Sequence, residues 1–148
     1  MKYSEMRPGR MFVLSLDPGE MIREEIERFS LEHGVVYGTV SVVGGVDGGS
    51  VLVVGPKVPA DERIEPLKFE IDAPSEVTGF GTIFPDESGK PAFHMHGSIG
   101  REGRSVTGCF REGVIAWLVT EVVITEMKGS GPIRKKDKKT GYGLLTVE

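Results

Sequence analysis

The sequence predicts an α+β fold in which a mostly antiparallel β-sheet of about seven to eight strands packs with one main α-helix. Glycine accounts for 21 of the 148 residues and is scattered between valine-rich runs, a pattern typical of many short strands and turns. Convincing helical spacing of apolar residues is found in one segment, residues 17–34. The other apolar runs are short and are separated by turn-forming residues, which favours strands.

The helix is predicted to follow a first strand over residues 10–16. Asp17 is a favoured N-cap residue, the proline after it suits the first helical turn, and Glu20 places negative charge near the positive end of the helix dipole. Apolar residues recur at helical spacing at Ile22, Ile26 and Phe29. Gly34 is a typical C-terminal stop, and His33 before it is interpreted as structural or solvated.

Valine-rich or alternating segments predict the remaining strands, over residues 35–43, 50–54, 67–71, 76–84, 91–99, 105–110 and 114–127, with a short strand over 142–147. The glycine pairs at 44–49 are interpreted as turn and bulge residues, since no Lys-Ser/Thr and helix follow as a phosphate loop requires. Residues 56–66 contain three prolines and five charges, which predicts an exposed excursion.

The length predicts one domain over residues 1–148, with a core at about 9–127, a basic loop or arm at 128–141 and a terminal strand within 142–148. No apolar run approaches the roughly 18 residues of a membrane helix. The first residues do not resemble a secretory signal, so we expect a cytoplasmic protein. The single cysteine, Cys109, excludes an intrachain disulfide.

Charge is distributed unevenly along the chain. Residues 1–127 carry 12 basic and 20 acidic groups, whereas residues 128–148 carry six basic and two acidic groups. An acidic body would repel nucleic acid, so any phosphate contact is expected in the basic segment. Its candidate residues are Arg134, Lys135, Lys136, Lys138 and Lys139. Such a run is more often a solubilising arm, and nucleic-acid binding is the less favoured interpretation.

The residue types that carry chemistry concentrate around a His-x-His motif. His94, His96 and Ser98 alternate along a predicted strand and therefore share one face. A hairpin turn centred on residues 101–102 would place Cys109 opposite His94, and one centred on 102–103 would place it opposite His96. Either register predicts a zinc site of two imidazoles and one thiolate with an open fourth position.

A structural interpretation competes with the metal site, because histidine pairs on strands occur by chance and free cysteine is commonly buried. Gly97 and Gly108 favour the close approach of a backbone or ligand, although glycine in strands also marks bulges. Ser98 is interpreted as ordinary strand polarity. The apolar group around the single tryptophan is predicted to be core or a subunit interface, and it comprises Trp117, Leu118, Val119, Val122 and Ile124.

The segments GRMFVLSLDPGEMI, VVYGTVSVVGGV and HMHGSIGREGRSVTGCFREG resemble the plants-and-prokaryotes conserved domain family, known as PPC or DUF296, over about residues 9–127. The resemblance implies a sandwich-like sheet with one helix, a homotrimer, and a fold and histidine cluster similar to zinc-dependent acetolactate decarboxylase. Family members carry Gly-His where this chain has Gly108-Cys109. Cys109 can still bind zinc, but it supplies a thiolate sulfur where family members supply an imidazole nitrogen.

Two functional hypotheses follow. In the first, one Zn²⁺ per chain, held by His94, His96 and Cys109, acts on a small carbonyl or acid substrate in a lyase or hydrolase reaction. Glu20, in a family-like Gly-Glu, is the candidate acid or base, although it could simply cap the helix. In the second, the domain is an oligomerisation and interaction module, as implied by plant relatives that join it to AT-hook segments. No Arg-Gly-Arg-Pro core occurs in this sequence, so DNA binding would be weak and would use residues 128–139.

Overall fold

The computed structural model describes residues 1–57 and 64–147, and within them one helix packs on one face of an eight-stranded sheet. The elements are β1 (Arg7–Leu16), α1 (Ile22–Glu32), β2 (Gly38–Val46), β3 (Val51–Pro56), β4 (Pro66–Glu70), β5 (Ser75–Pro85), β6 (Pro91–Arg101), β7 (Arg104–Glu112), β8 (Ala116–Lys128), β9 (Ile133–Lys136) and β10 (Gly143–Thr146). Most of the predicted excursion at 56–66 lies outside the described residues.

The strand order in the sheet is β1-β8-β2-β5-β6-β7-β3-β4, and all of these neighbours pair in antiparallel fashion. This confirms the predicted α+β class with a dominant antiparallel sheet. The first strand joins the sheet through β8, where Arg7 pairs with Lys128. In the described ranges, no helix is both long and apolar enough to cross a membrane.

The helix begins later than predicted. It starts at Ile22 with Met21 as its N-cap residue, and no side chain caps it, so the assignment of Asp17 as N-cap is wrong. Met21 pairs with Ile115 in a β-bridge, and the N–H of Ala116 donates to the carbonyl of Glu20, which keeps this segment extended. Gly34 has a φ of +66° directly after the C-cap residue, as the sequence predicts.

The two faces of the sheet differ in polarity because side chains alternate along each strand. The inner face packs on the buried Ile22 and Ile26 of α1 and supplies the core. Val122 and Ile124 belong to this core, whereas Trp117, Leu118 and Val119 are exposed. Large apolar side chains are also exposed on the outer strand positions, namely Met11, Val13, Val43 and Phe80. The outer face therefore carries several exposed apolar side chains among polar ones.

A β-bulge interrupts the pairing of β2 with β8 between Gly44 and Gly45. Gly44 has a φ of +129°, and Leu118 opposite this region has a φ of +55°. Both values lie in the left-handed region, which glycine adopts readily and leucine rarely does. The interpretation of this glycine pair as a bulge is confirmed.

The segment predicted as a basic loop or arm contains strand β9, which pairs with β10. Several contacts join this hairpin to the main sheet, and two of them involve the turn after β5. Arg134 forms a parallel bridge with Asp86, and the N–H of Lys136 donates to Glu87 Oε2 over 3.2 Å. The hairpin therefore lies beside the turn between β5 and β6.

Candidate metal centre

The β6–β7 hairpin decides how the cysteine meets the histidines. Its turn contains Glu102 and Gly103, both with positive φ, of 53° and 74°, as a type I′ turn requires. In the resulting register His96 pairs with Cys109. This is the register centred on residues 102–103, one of the two left open by the sequence.

Because of this register, His94, His96 and Cys109 meet on the outer face of the sheet. Their candidate ligand atoms all lie within 4.8 Å of one another. The imidazole rings are 5.0 Å apart between centroids, at an interplanar angle of 74°. The histidines are exposed and the cysteine is buried. Two imidazole nitrogens and one sulfur form a donor set that suits zinc, so the residues present fit this metal.

The sheet opens next to this cluster. Among the described residues, the ladder between β6 and β7 ends at His96 and Cys109, although β6 extends back to Pro91 and β7 continues to Glu112. A cavity of about 440 Å³ lies here, within the range of small-molecule sites. It is lined by His94 and Cys109 from the cluster, by Arg23 of α1, by Arg111 of β7, and by Arg134 and Lys136 of β9, together with Asp86 and Glu87.

The electrostatics of the cavity keep one histidine neutral. Desolvation, followed by the positive charge of Arg134 and then by His96, lowers the pKa of His94 from 6.5 to about 4. A neutral imidazole retains the nitrogen lone pair that a metal ligand needs. Desolvation also lowers the pKa of Arg134, although it remains a cation at neutral pH.

Packing between α1 and the sheet fixes one wall of the cavity. Arg23 Nη2 donates to Glu27 Oε1 over 3.0 Å, and the same oxygen accepts a hydrogen bond from the N–H of Phe93. Arg23 Nη1 donates to the carbonyl of Arg111 over 3.3 Å. These contacts attach the helix to both strands where they separate.

The glycines beside the ligands serve packing of the core. A Cβ atom at Gly97 would lie 2.6 Å from the ring of Phe110, and one at Gly108 would lie 2.7 Å from the carbonyl oxygen of Val53. Both positions face away from the histidines because neighbouring residues alternate faces. The close approach predicted for these glycines therefore involves a core ring and a neighbouring strand.

Two polar residues have the structural roles that the sequence predicts. Ser98 Oγ accepts a hydrogen bond from Thr107 Oγ1 over 3.2 Å across the hairpin. His33 is exposed at the end of α1, where its ring centroid lies 4.1 Å from that of Phe29.

The structure does not bring Glu20 to the metal cluster within one chain. Its Oε2 accepts a hydrogen bond from the N–H of Asp17 over 2.8 Å, which closes the turn before α1. Among the described residues, Glu20 belongs neither to the group of converging ligand atoms nor to the cavity lining. Its assignment as acid or base stays a prediction.

The five basic candidates for nucleic-acid contact do not share one surface. Arg134 and Lys136 line the cavity, and Lys135, between them on β9, lies at the opposite strand parity. Lys138 and Lys139 are exposed in the turn after β9. Nucleic-acid binding by this segment stays a prediction.

Sequence reasoning missed the contribution of the basic segment and of α1 to the cavity. Arg134 was grouped with a charge run, yet its Nη2 donates to Thr82 Oγ1 over 2.9 Å and its guanidinium lies 5.7 Å from the ring centroid of Phe84. Ile133 was a signal for a strand here, because an apolar residue is more typical of a strand than of a solvated arm.

Comparison with known proteins gives the same picture of the fold. Residues 3–128 match the sequence model of the Plants and Prokaryotes Conserved (PCC) domain. A metal-containing protein from Archaeoglobus fulgidus is 28% identical, with a TM-score of 0.83 and 99% of each chain covered. A plant- and prokaryote-conserved protein from Pyrococcus horikoshii is 24% identical, with a TM-score of 0.80, covering 100% of this chain and 97% of that one.

A similarity to a longer protein is also found. The chain is 26% identical over 141 residues to the bifunctional protein GlmU of Synechococcus sp. strain JA-3-3Ab. The match covers 94% of this chain but 21% of that protein, so the chain spans about a fifth of the length of this curated relative.

Proposed function

This chain belongs to the Plants and Prokaryotes Conserved domain family, and from that premise we propose that it binds one zinc ion through His94, His96 and Cys109. The observation that carries the proposal is the convergence of three ligand atoms within 4.8 Å. The metal-containing Archaeoglobus relative, 28% identical, adds support. Neither relationship identifies the metal, so zinc is inferred from the nitrogen and sulfur donors.

The proposed role is metal-dependent action on a small carbonyl or acid compound. Zinc with three protein ligands and an open position acts as a Lewis acid toward a carbonyl group or water. The protein side of the site supports this role: His94 stays neutral, the cavity is large enough for a small molecule, and cations from α1, β7 and β9 line it. Cys109 and His94 hold the metal at the wall of this cavity.

Metal analysis tests the proposal. We expect untagged protein to contain about one zinc per chain, and His94→Ala or Cys109→Ser to lose most of it, because two remaining ligands bind zinc weakly. Elemental analysis after dialysis measures this content. Ser98→Ala is the matched control, because Ser98 lies on the same face as the cluster but offers no soft ligand.

Wild-type protein that does not bind added zinc would overturn the proposed metal site. So would His94→Ala and Cys109→Ser proteins that retain the wild-type zinc content. Circular dichroism of each variant checks that any loss of metal does not come from unfolding.

We further propose that the chain forms a homotrimer through the apolar outer face of the sheet. Phe80 pairs directly with His96, and its side chain is 62% exposed in the single chain. Met11, Val13 and Val43 add exposed apolar side chains on β1 and β2 of the same face. Burying such a surface between copies would remove it from water and would bring a neighbouring subunit close to the metal cluster.

Light scattering coupled to size exclusion tests the assembly. We expect wild-type protein to have three times the 16.1 kDa mass of one chain. Phe80→Asp should lower the mass toward that of the monomer, since it places a charge in the proposed interface. Leu31→Asp is the control, because Leu31 is 64% exposed on α1, which packs on the other face of the sheet. A monomeric wild type, or a trimer unaffected by Phe80→Asp, would contradict the proposed interface.

A further inference from the structure

Arg134 is an unusual arginine because part of its guanidinium is buried without a partner. Its Nη2 donates to Thr82 Oγ1 over 2.9 Å. Its Nε, however, is buried and has no hydrogen-bond acceptor. Among the described residues, no other buried side-chain nitrogen or oxygen lacks a hydrogen-bond partner. A buried donor without an acceptor is costly, so such a group in a native site calls for an explanation.

The other arginines that line the cavity already have partners. Arg23 pairs with Glu27, and the guanidinium of Arg111 lies over the ring of Tyr142, 4.1 Å from its centroid. The nearby carboxylates are also occupied: Asp86 Oδ1 accepts hydrogen bonds from Ser88 and Lys90, and Glu87 accepts one from Lys136. Arg134 differs from these groups in having a buried N–H without an acceptor, beside the metal cluster.

We propose that Arg134 forms a subsite that binds the carboxylate of a small organic acid, whose carbonyl or hydroxyl oxygen reaches toward His94 and Cys109. This inference rests on the proposed metal site and names the class of compound that it would accept. Because Nε is enclosed in the ligand-free chain, the carboxylate would accept its hydrogen bond after a shift of the Arg134 side chain. Thr82, through its contact with Nη2, would guide the guanidinium and acts as a positioning residue.

The guanidinium fork accepts a carboxylate or a phosphate in the same bidentate way. The lining holds Asp86 and Glu87 beside four cations, so inorganic phosphate is the competing ligand that the experiment must include. The cavity of about 440 Å³ accommodates a compound of a few carbon atoms beside the metal.

Calorimetric titration with pyruvate, a small 2-oxo acid, tests this subsite in the full-length zinc-loaded protein. We expect wild type to bind pyruvate, and pyruvamide, its neutral amide, to bind at least about tenfold more weakly. Arg134→Gln should weaken pyruvate binding by about tenfold or more while the zinc content stays unchanged. Lys138→Gln removes the same charge from the exposed turn after β9 and should leave the affinity within about twofold.

Zinc content is measured on the same samples, so the two proposals fail separately. If wild type holds no zinc, the metal site fails, and the subsite is judged by the same titrations of metal-free protein. If Arg134→Gln misfolds or loses zinc, Arg134→Lys is the deciding variant, because it keeps the positive charge but removes the Nε–H donor. We expect Arg134→Lys to bind pyruvate several-fold more weakly than wild type. Absence of pyruvate binding, unchanged binding in the deciding variant, or binding of inorganic phosphate but not of pyruvate would overturn the proposal.

Discussion

Replacing Gly44 with alanine is expected to lower the free energy of unfolding by about 4 kcal/mol, a large fraction of the stability of a domain. Gly44 has a φ of +129° at the β2–β8 bulge, and a Cβ atom there would lie 2.1 Å from the carbonyl oxygen of Val119. The obstructing atom is backbone and is held by the sheet, so it cannot move aside without breaking the bulge. Urea denaturation followed by circular dichroism, at fixed protein concentration, measures the loss.

Gly89→Ala is the control that distinguishes the steric clash at Gly44 from the cost of a positive φ alone. Gly89 also has a positive φ, of +83°, but a Cβ atom there would meet nothing within 4 Å. We expect this substitution to cost only about 1 kcal/mol, from the unfavourable φ alone. Equal losses in the two variants would show that crowding at the bulge contributes nothing.

Glu126 is expected to be the second position with a large effect on stability. Its side chain is buried, and its two oxygens accept hydrogen bonds from Arg10 Nε, Arg10 Nη2 and Lys128 Nζ, and from the backbone N–H of Arg10. Glu126→Ala removes these acceptors and leaves a cavity, so it should lower the free energy of unfolding by about 3 kcal/mol. Chemical denaturation at pH 7 checks the value.

The same carboxylate predicts a pH dependence. Hydrogen bonding from Arg10 holds the pKa of Glu126 well below its ordinary value of 4.5. A carboxyl group whose folded-state pKa is depressed contributes stability that is fully present above its unfolded pKa and is lost as the pH falls below it. The contribution of Glu126 should therefore be complete at pH 7 and decline progressively below about pH 4.5.

Denaturation midpoints across this pH range provide the measurement. Glu126→Gln should be less stable than wild type at pH 7, and the difference should shrink as the pH falls toward 3, near the lower end of carboxyl titration. Glu70→Gln, at an exposed position of the edge strand β4, should follow the wild-type curve. A constant difference between wild type and Glu126→Gln at all pH values would contradict the role given to this carboxylate.

Local patterns in the sequence predicted most helices and strands, because residue alternation and local glycine and valine content determine secondary structure over a few residues. The single helix, the bulge at Gly44 and the shared face of His94 and His96 follow from such short-range rules. The alternation of His94 and His96, with Cys109 opposite them in the hairpin, predicted a metal site, and the family resemblance supported it. The sequence left two hairpin registers open, and the positive φ of Glu102 and Gly103 selected one of them.

Features that depend on distant contacts were harder to predict. Asp17 begins a segment of good helix-start residues, but residues 17–20 form a turn instead. The bridge from Met21 to Ile115 and the hydrogen bonds to Ala116, about a hundred residues away, delay the helix to Ile22. The strand order, which decides what surrounds the metal cluster, is also not encoded by local patterns. The place of Arg134 beside the cluster likewise depends on the pairing of β9 with β10 and on the bridge to Asp86.

The position of β1 has a consequence for how the chain reaches this structure. β1 lies at the edge of the sheet and pairs with β8, so that Arg10 and Glu126, 116 residues apart in sequence, are hydrogen-bonded. During synthesis β1 leaves the ribosome first, yet it must wait for nearly all of the later strands before its partner exists. Closing such long loops slows folding, and an apolar strand stays exposed meanwhile. In the folding of this sheet, the first of its strands to be made is therefore among the last to be docked.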